Sequence, residues 1–198
     1  MSAEPVPSTP SPWQPDPVRQ ARADYTLDDL RRIPPNQVEL VDGVLYVTPS
    51  PSLNHQSVSR RLANWLERHA PRDLRASQDV EIALGPNTAR QPDVLLCRAD
   101  ADGDRWYLHP DEVVLAVEIV SPGSRRMDRF TKLTEYAAAG IPCYWRIEQD
   151  PPHVYAYRLS DQLNAVGEPQ YELVTEGADV IELTEPFELK LPIAEITP

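Results

Sequence analysis

The segment Val113–Val120 constrains the fold more than any other part of the chain. Its two alternating faces are both apolar, which is the pattern of a central strand covered by helices on each side. One acidic residue, Glu118, interrupts the apolar run near its end. An ionised carboxylate in such a strand costs roughly several kcal/mol unless a positive group meets it. The segment therefore predicts a helix-flanked sheet with a paired or functional acid at one strand end.

The surrounding patterns predict a mixed α/β domain. Val38–Val41 and Val44–Val47 flank the dipeptide Asp42-Gly43, which is typical of a two-residue hairpin turn. Apolar residues at helical spacing predict an amphipathic helix over Ser52–His69. Further strands are predicted over 79–84, 92–98, 142–147, 153–159, 170–174 and 187–191, with a helix that runs from about residue 125 to Ala139 and ends before Gly140. We expect one domain over residues 25–198, with a central mixed β-sheet flanked by helices.

The first 24 residues differ in composition from the rest. They hold six prolines among polar residues, so we expect a disordered tail. The chain has no run of about 18 apolar residues and no apolar stretch typical of a secretory signal, which predicts a cytoplasmic protein with no membrane contact. Cys97 and Cys143 each lie within an apolar segment and are interpreted as core residues.

The charge distribution bears on the class of partner. The net charge of −12 argues against a protein that coats nucleic acid. However, residues 147–198 hold 11 acids and two bases, whereas residues 25–146 hold 17 acids and 15 bases. The middle of the chain is thus nearly balanced, so local nucleic-acid contact remains open there.

Two carboxylates are the strongest candidates for chemistry. Asp93 follows Pro92 at the start of a second apolar strand, and Glu118 lies near the end of the first one described. If these strands are neighbours, both acids can converge on a hard cation such as Mg²⁺, which prefers oxygen ligands. In the alternative interpretation, Glu118 pairs with an arginine and Asp93 only terminates a strand.

A lysine supports the chemical interpretation. Lys132 is one of two lysines, against 17 arginines, so an amine kept at this position suggests a specific role. The alternative is a surface ion pair between Asp128 and Lys132, four residues apart on a helix.

Several ordered motifs together resemble a known family. Pro92-Asp93 followed by a strand ending in Glu118 resembles the PD-(D/E)xK signature of restriction-endonuclease-like nucleases. The wider pattern resembles the bacterial Uma-two family of endonucleases over about residues 25–175. The matching segments are Val38–Gly43, His55, Gln91–Val94, Val117–Pro122, Asp128-Arg129 with Lys132, and Tyr136 through Gly140–Pro142 to Tyr144-Trp145.

The resemblance implies a restriction-endonuclease-like core and a metal-dependent reaction. It implies Asp93, Glu118 and the backbone carbonyl of Ile119 as ligands of Mg²⁺ or Mn²⁺. The lysine of the parent signature, two residues after the glutamate, is replaced by Val120. Its role, which is to orient the attacking water and stabilise developing charge, would pass to Lys132.

The remaining candidates are weaker. The resemblance implies that Glu39 assists at the metal, and an exposed strand residue is the alternative. His55 could touch substrate phosphate or a bound water, but a hydrogen-bonded, half-buried histidine is the favoured interpretation. The arginines considered for contact with DNA are Arg60, Arg61, Arg125, Arg126 and Arg129.

Two functional hypotheses follow. The first is a Mg²⁺-dependent endodeoxyribonuclease in which Asp93, Glu118, Lys132 and Glu39 are catalytic. By analogy with the family, we expect the protein to form a homodimer. Because the chain is acidic, a partner protein is expected to direct it to nucleic acid. The second is an inactive nuclease-like fold used as a binding or scaffold module, with its carboxylates satisfied by arginines. Lys132 together with a bound cation within reach of Asp93 and Glu118 favours the first hypothesis, and an arginine that fills this space favours the second.

Overall fold

A computed structural model describes residues 24–33, 38–47, 50–121 and 127–198. The tail predicted over residues 1–24 lies outside the described part of the chain except for Asp24, and so do Arg125 and Arg126. The helices are α1 (Leu27–Leu30), α2 (Leu53–His69) and α3 (Lys132–Ala138), the last preceded by a π-helical turn at Met127–Thr131. The strands are β1 (Val38–Val41), β2 (Val44–Val47), β3 (Leu74–Ser77), β4 (Glu81–Gly85), β5 (Thr88–Arg90), β6 (Val94–Arg98), β7 (Tyr107–Leu108), β8 (Val113–Ile119), β9 (Cys143–Gln149), β10 (Pro152–Leu159), β11 (Tyr171–Gly177), β12 (Val180–Leu183) and β13 (Leu189–Pro192).

The larger sheet has six strands in the order β11-β10-β9-β8-β6-β3. The predicted central strand is confirmed, because β8 lies inside this sheet, antiparallel to β6 and parallel to β9. Its residues alternate between two cores. Leu115, Val117 and Ile119 pack with α2, whereas Ala116 packs with Tyr136 of α3. The sheet is therefore covered on both faces, as the apolar pattern of β8 requires.

The smaller sheet has five strands in the order β2-β1-β5-β4-β7. The predicted hairpin is confirmed: β1 and β2 pair antiparallel, and Asp42 and Gly43 both have positive φ, at 48° and 77°. Ile82 of β4 joins the core that contains α3. The smaller sheet thus packs against the α3 face of the larger one.

Two sequence-based expectations need correction. The predicted strand over 79–84 starts at Glu81, because Asp79 has a φ of 52° and leaves extended geometry. The helix predicted up to Ala139 is a π-helical turn followed by the shorter α3, with Gly140 at a φ of 80° after it. The strands β3, β5, β7 and β12 were not predicted. Among the described residues, no helix is both long and apolar enough to cross a bilayer.

Candidate active site

Asp93 and Glu118 lie across from each other at the end of a strand pair. The β6–β8 ladder runs to Val94 opposite Val117, so the next residues along are Asp93 and Glu118. Residues opposite each other in an antiparallel pair project to the same face. Asp93 closes the ladder with its side chain, since the Ile119 N–H donates to Asp93 Oδ2 at 2.6 Å. The condition set by the sequence, that the two strands are neighbours, is met.

Glu118 is buried, with 2% of its surface exposed. Lys132 Nζ donates to Glu118 Oε2 at 2.9 Å, and the Tyr136 hydroxyl donates to Oε1 at 2.8 Å. Both carboxylate oxygens therefore have a donor. The buried acid that the sequence predicted to need a positive partner has one in Lys132.

Lys132 contacts three acids and is itself buried. Besides Glu118, Nζ lies 2.8 Å from Glu39 Oε1 and 3.8 Å from Asp128 Oδ1. The alternative of a surface Asp128–Lys132 pair does not describe this geometry, because both side chains are buried. Glu39 is buried as well, although an exposed strand residue was its alternative.

Arg90 is a second buried cation of the site, and the sequence alone did not indicate this role. Its Nη1 donates to Glu39 Oε2 at 2.8 Å, while Nε and Nη2 donate to the two carboxylate oxygens of Glu135 at 2.7 and 2.8 Å. Glu39 is thus held between Lys132 and Arg90. The two-pronged contact with Glu135 is the planar geometry for which arginine is suited.

The cluster carries more negative than positive charge. The acids are Glu39, Asp93, Glu118, Asp128 and Glu135, against the cations Lys132 and Arg90. Burial raises the pKa of Glu118 well above its ordinary value, and three neighbouring acids add to this while Lys132 opposes it. The acids of this cluster therefore outnumber its cations, and the raised pKa of Glu118 favours the neutral form of that acid.

The pKa shifts of Glu39, Lys132 and Tyr136 follow from the same contacts. Burial alone would raise the pKa of Glu39, but Lys132 and Arg90 lower it below 4.5. Burial alone would lower the pKa of Lys132, but Glu118 and Glu39 raise it above 10.5. Burial, followed by Glu118, raises the pKa of Tyr136 well above 10, which keeps its hydroxyl a neutral donor.

His55 lies beside Asp93 at the start of α2. Its Nε2 donates to the Ile119 carbonyl oxygen at 3.0 Å and lies 3.4 Å from Asp93 Oδ1. One turn further along, the Ser59 hydroxyl donates to the Asp93 carbonyl at 3.1 Å. Burial alone would lower the pKa of His55, but Asp93 raises it. The ring is buried and hydrogen-bonded, and it faces two of the three ligands that the family resemblance implies.

Asp128, Lys132 and Tyr136 are spaced four residues apart and share one face of the π-turn and α3. Asp128 is 2% exposed, and its carbonyl accepts a hydrogen bond from the Tyr144 hydroxyl at 2.6 Å. The spacing was visible in the sequence and could have indicated Asp128 and Tyr136 as site residues. Single π-helical turns occur frequently at functional sites.

The arginines that the sequence suggested for contact with DNA are more scattered. Arg61 donates to the Thr197 carbonyl at 2.6 Å, so it holds the last residues of the chain. Arg129 pairs with Glu148 at 2.9 Å, and Arg60 is exposed on α2. Arg125 and Arg126 lie outside the described residues. Glu81 is half-buried near Glu39, and its buried Oε2 has no hydrogen-bond partner in the described part of the chain.

Metal-binding capacity rests on few side chains. Within the described ranges, no three His, Cys, Asp or Glu side chains are grouped so that they could hold a metal ion. The ligand set implied by the resemblance has two carboxylates and one backbone oxygen. Asp93 Oδ1 and the Ile119 carbonyl both face His55 Nε2. The available oxygen donors are of the type that Mg²⁺ and Mn²⁺ accept.

The fold is that of a restriction-endonuclease-like α/β protein. One solved structure is similar over 86% of this chain and 96% of its own, with a TM-score of 0.64 and 18% identity: the "putative nuclease belonging to DUF820 from Anabaena variabilis ATCC 29413". The Uma2 family model, described as "Putative restriction endonuclease", matches residues 27–194. The chain therefore belongs to the Uma2 family, as its motifs predicted. Comparison with curated proteins gives no match.

Replacing Arg90 by methionine should destabilise the protein by about 3–5 kcal/mol, because Glu39 and Glu135 lose a buried cation. Urea denaturation measures the change. Lys190→Met is the control: its ion pair with Glu182 is exposed, so it should cost at most about 1 kcal/mol. Equal, small effects of both substitutions would contradict the buried geometry.

Glu81 should make stability fall as pH rises. Burial, followed by the charge of Glu39, raises the pKa of Glu81 to about 8. A carboxyl with a raised folded pKa releases a proton on unfolding above about pH 4.5, so stability is lost between about pH 4.5 and 8, by at most about 1.4 kcal/mol per unit. Glu81→Gln should remove this slope, and unfolding free energies from pH 5 to 9 measure it. Parallel profiles for the two proteins would contradict the assignment.

Proposed function

We propose that the protein is a metal-dependent nuclease that hydrolyses phosphodiester bonds, with DNA as the favoured substrate. Membership of the Uma2 family supports the nuclease class. The observation that carries the proposal is the position of Lys132. It comes from α3 and lies 2.9 Å from Glu118, which in turn lies across the strand pair from Asp93. This arrangement resembles the acid–acid–lysine combination of the parent signature, with the lysine supplied from a helix.

The donor chemistry of the site fits a divalent metal. Asp93, Glu118 and the Ile119 carbonyl would hold the ion, and the excess of carboxylates offsets its charge. When bound, such an ion supplies Lewis acidity and lowers the pKa of a water ligand. Mg²⁺ and Mn²⁺ both satisfy this oxygen-rich set.

The protein's own residues would divide the remaining work. Lys132, held by Glu39 and Glu118, places a fixed ammonium beside the carboxylates, where it can orient a water and stabilise negative charge on the phosphoryl oxygens. Tyr136 fixes the orientation of Glu118 through Oε1. Glu39 acts by positioning Lys132, because Arg90 anchors its other oxygen.

The scaffold hypothesis has one observation in its favour. Arg90 does satisfy Glu39, as that hypothesis expects of an arginine. However, the cation on Glu118 is Lys132, and the contacts described for Asp93 are with a histidine and a backbone N–H. The distribution of cations therefore favours the enzyme.

Asp93→Asn and Glu118→Gln should each lower the rate of plasmid cleavage by about 10²-fold or more, because each replaces a charged oxygen donor with a neutral amide. Purified protein is incubated with supercoiled and single-stranded DNA in Mg²⁺ or Mn²⁺, and cleavage is followed on gels. Thermal unfolding of each variant verifies that it folds.

Asp100→Asn provides the matched control. Asp100 is exposed in the loop after β6 and pairs with Arg98 at the surface, so its variant should cut at the wild-type rate. Cleavage that persists in both the Asp93→Asn and the Glu118→Gln variants would come from a contaminant or another site, and it would refute the assignment. Folded wild-type protein that cuts no nucleic acid with either metal would favour the scaffold.

A further inference from the structure

We propose that Arg146 binds a phosphate group of the nucleic-acid substrate, on the strand next to the one that carries Glu118. The inference rests on the proposed function, because it names a contact with the substrate of that same site. It concerns how the substrate is held, whereas the acids and Lys132 concern how the bond is cut. The sequence did not suggest Arg146 for contact with DNA.

Arg146 lies beside Glu118 in the larger sheet. The strands β8 and β9 are parallel, and Glu118 and Arg146 are partners in their register. Partner residues on adjacent strands project to the same face, and the strands lie about 4.8 Å apart. Tyr155 of β10 is the next partner, opposite Arg146. Glu118, Arg146 and Tyr155 therefore form a row on one face of the sheet, and the row begins at the candidate active site.

The guanidinium group of Arg146 is held against an aromatic ring. Its central carbon lies 4.1 Å from the centroid of the Tyr155 ring, which is a cation–π contact. The side chain is 14% exposed, so the group is largely shielded from water and still reaches the surface. A guanidinium group fixed in this way presents its N–H groups as a planar fork, which matches the oxygens of a phosphate.

Arg146 has a buried donor without a hydrogen bond. Its Nε has no hydrogen-bond partner among the described residues. It lies 3.4 Å from Glu148 Oε1, beyond the range of an ordinary N–H···O hydrogen bond. Since buried polar groups are nearly always hydrogen-bonded, an unpaired donor beside a candidate active site indicates that an acceptor binds there.

Glu148 does not fully neutralise Arg146, because it is also paired with Arg129. Arg129 Nε and Nη2 donate to the two oxygens of Glu148 at 2.9 and 3.0 Å. Two guanidinium groups thus share one carboxylate, which leaves a positive charge in excess. Arg90, by contrast, is paired with two acids and has no such excess. The negative charge of a phosphodiester complements the excess on Arg129 and Arg146.

The position of the guanidinium group indicates a flanking phosphate, not the one that is cut. The group lies over Tyr155 of β10, so it leans away from β8 and Glu118. A contact that is equally strong before and during the reaction contributes to binding and leaves the chemical step unchanged. The loss of Arg146 should therefore raise KM for nucleic acid and leave kcat at its wild-type value.

The experiment is a fluorescence-anisotropy titration of a labelled oligonucleotide, as single strand and as duplex, with the full-length protein. EDTA is present throughout, so that the oligonucleotide is not cut. Arg146→Met should weaken binding by about 10-fold at low salt, because a charge-assisted contact is lost. It should also reduce the slope of log affinity against log salt concentration by about 1.

Arg158→Met is the matched control, because it removes the same charge elsewhere on the larger sheet. Arg158 lies opposite Cys143, at the other end of β9 from Glu148, and alternation along β10 places it on the other face from Tyr155. Its side chain is 49% exposed and pairs with Glu172. This variant should keep the wild-type affinity and salt slope.

Glu148→Gln tests the same contact with the opposite sign. It removes the acid that Arg129 and Arg146 share, so it should tighten binding by about threefold. Glu172→Gln is its control, because it makes the same charge change beside Arg158 and should leave the affinity unchanged.

Equal affinities of the Arg146→Met and Arg158→Met variants would overturn the proposal, and so would a fall in kcat at unchanged affinity. Neither result would touch the nuclease assignment, which the Asp93→Asn and Glu118→Gln variants test separately. Wild-type protein that binds through Arg146 but cuts nothing would refute the nuclease and leave the phosphate contact standing. If Arg146→Met fails to fold, equal affinities of the Glu148→Gln and Glu172→Gln variants would overturn the proposal.

Discussion

The rest of the site depends on the ion pairs that the buried ammonium group of Lys132 makes with two acids. It contacts Glu39 from the smaller sheet and Glu118 from the larger one, at 2.8 and 2.9 Å. The two sheets and α3 therefore meet at one charge. Each of these acids would carry a desolvation penalty if left alone, and removing one member of such a buried set leaves an uncompensated charge. Arg90 extends the same principle from β5 to Glu135 of α3.

The position of Lys132 also explains how the chain departs from the parent signature. A lysine at position 120 would lie on the same strand as Glu118 and, two residues away, on the same face. Val120 occupies that place and is 5% exposed. The ammonium comes instead from a helix that crosses this face, and the π-helical turn before α3 carries Asp128 to the same group. The positive charge therefore reaches Glu118 from a different part of the sequence.

Much of the fold could be predicted from the sequence, because strands, hairpin turns and amphipathic helices are determined largely by residues that are close together in the chain. The central strand was predicted from its continuous apolar run, the β1–β2 hairpin from Asp42-Gly43, and α2 from its helical spacing. Glu118 and Lys132 were predicted as partners in chemistry because each is unusual where it stands. By contrast, the role of Arg90 depends on partners 45 and 51 residues away in the chain. No local pattern reports such a contact, so the second buried cation emerged only from the packing of the two sheets.

The site is thus a buried network in which the carboxylates outnumber Lys132 and Arg90. The proposed function requires that a divalent metal bind between Asp93 and the Ile119 carbonyl, next to Glu118. The most direct test is a crystal structure of the protein soaked with Mn²⁺, with anomalous difference maps. We expect an anomalous peak about 2.2 Å from Asp93 Oδ1 and from the Ile119 carbonyl oxygen. A well-ordered site with no peak at that position, or with Mn²⁺ bound elsewhere, would contradict it.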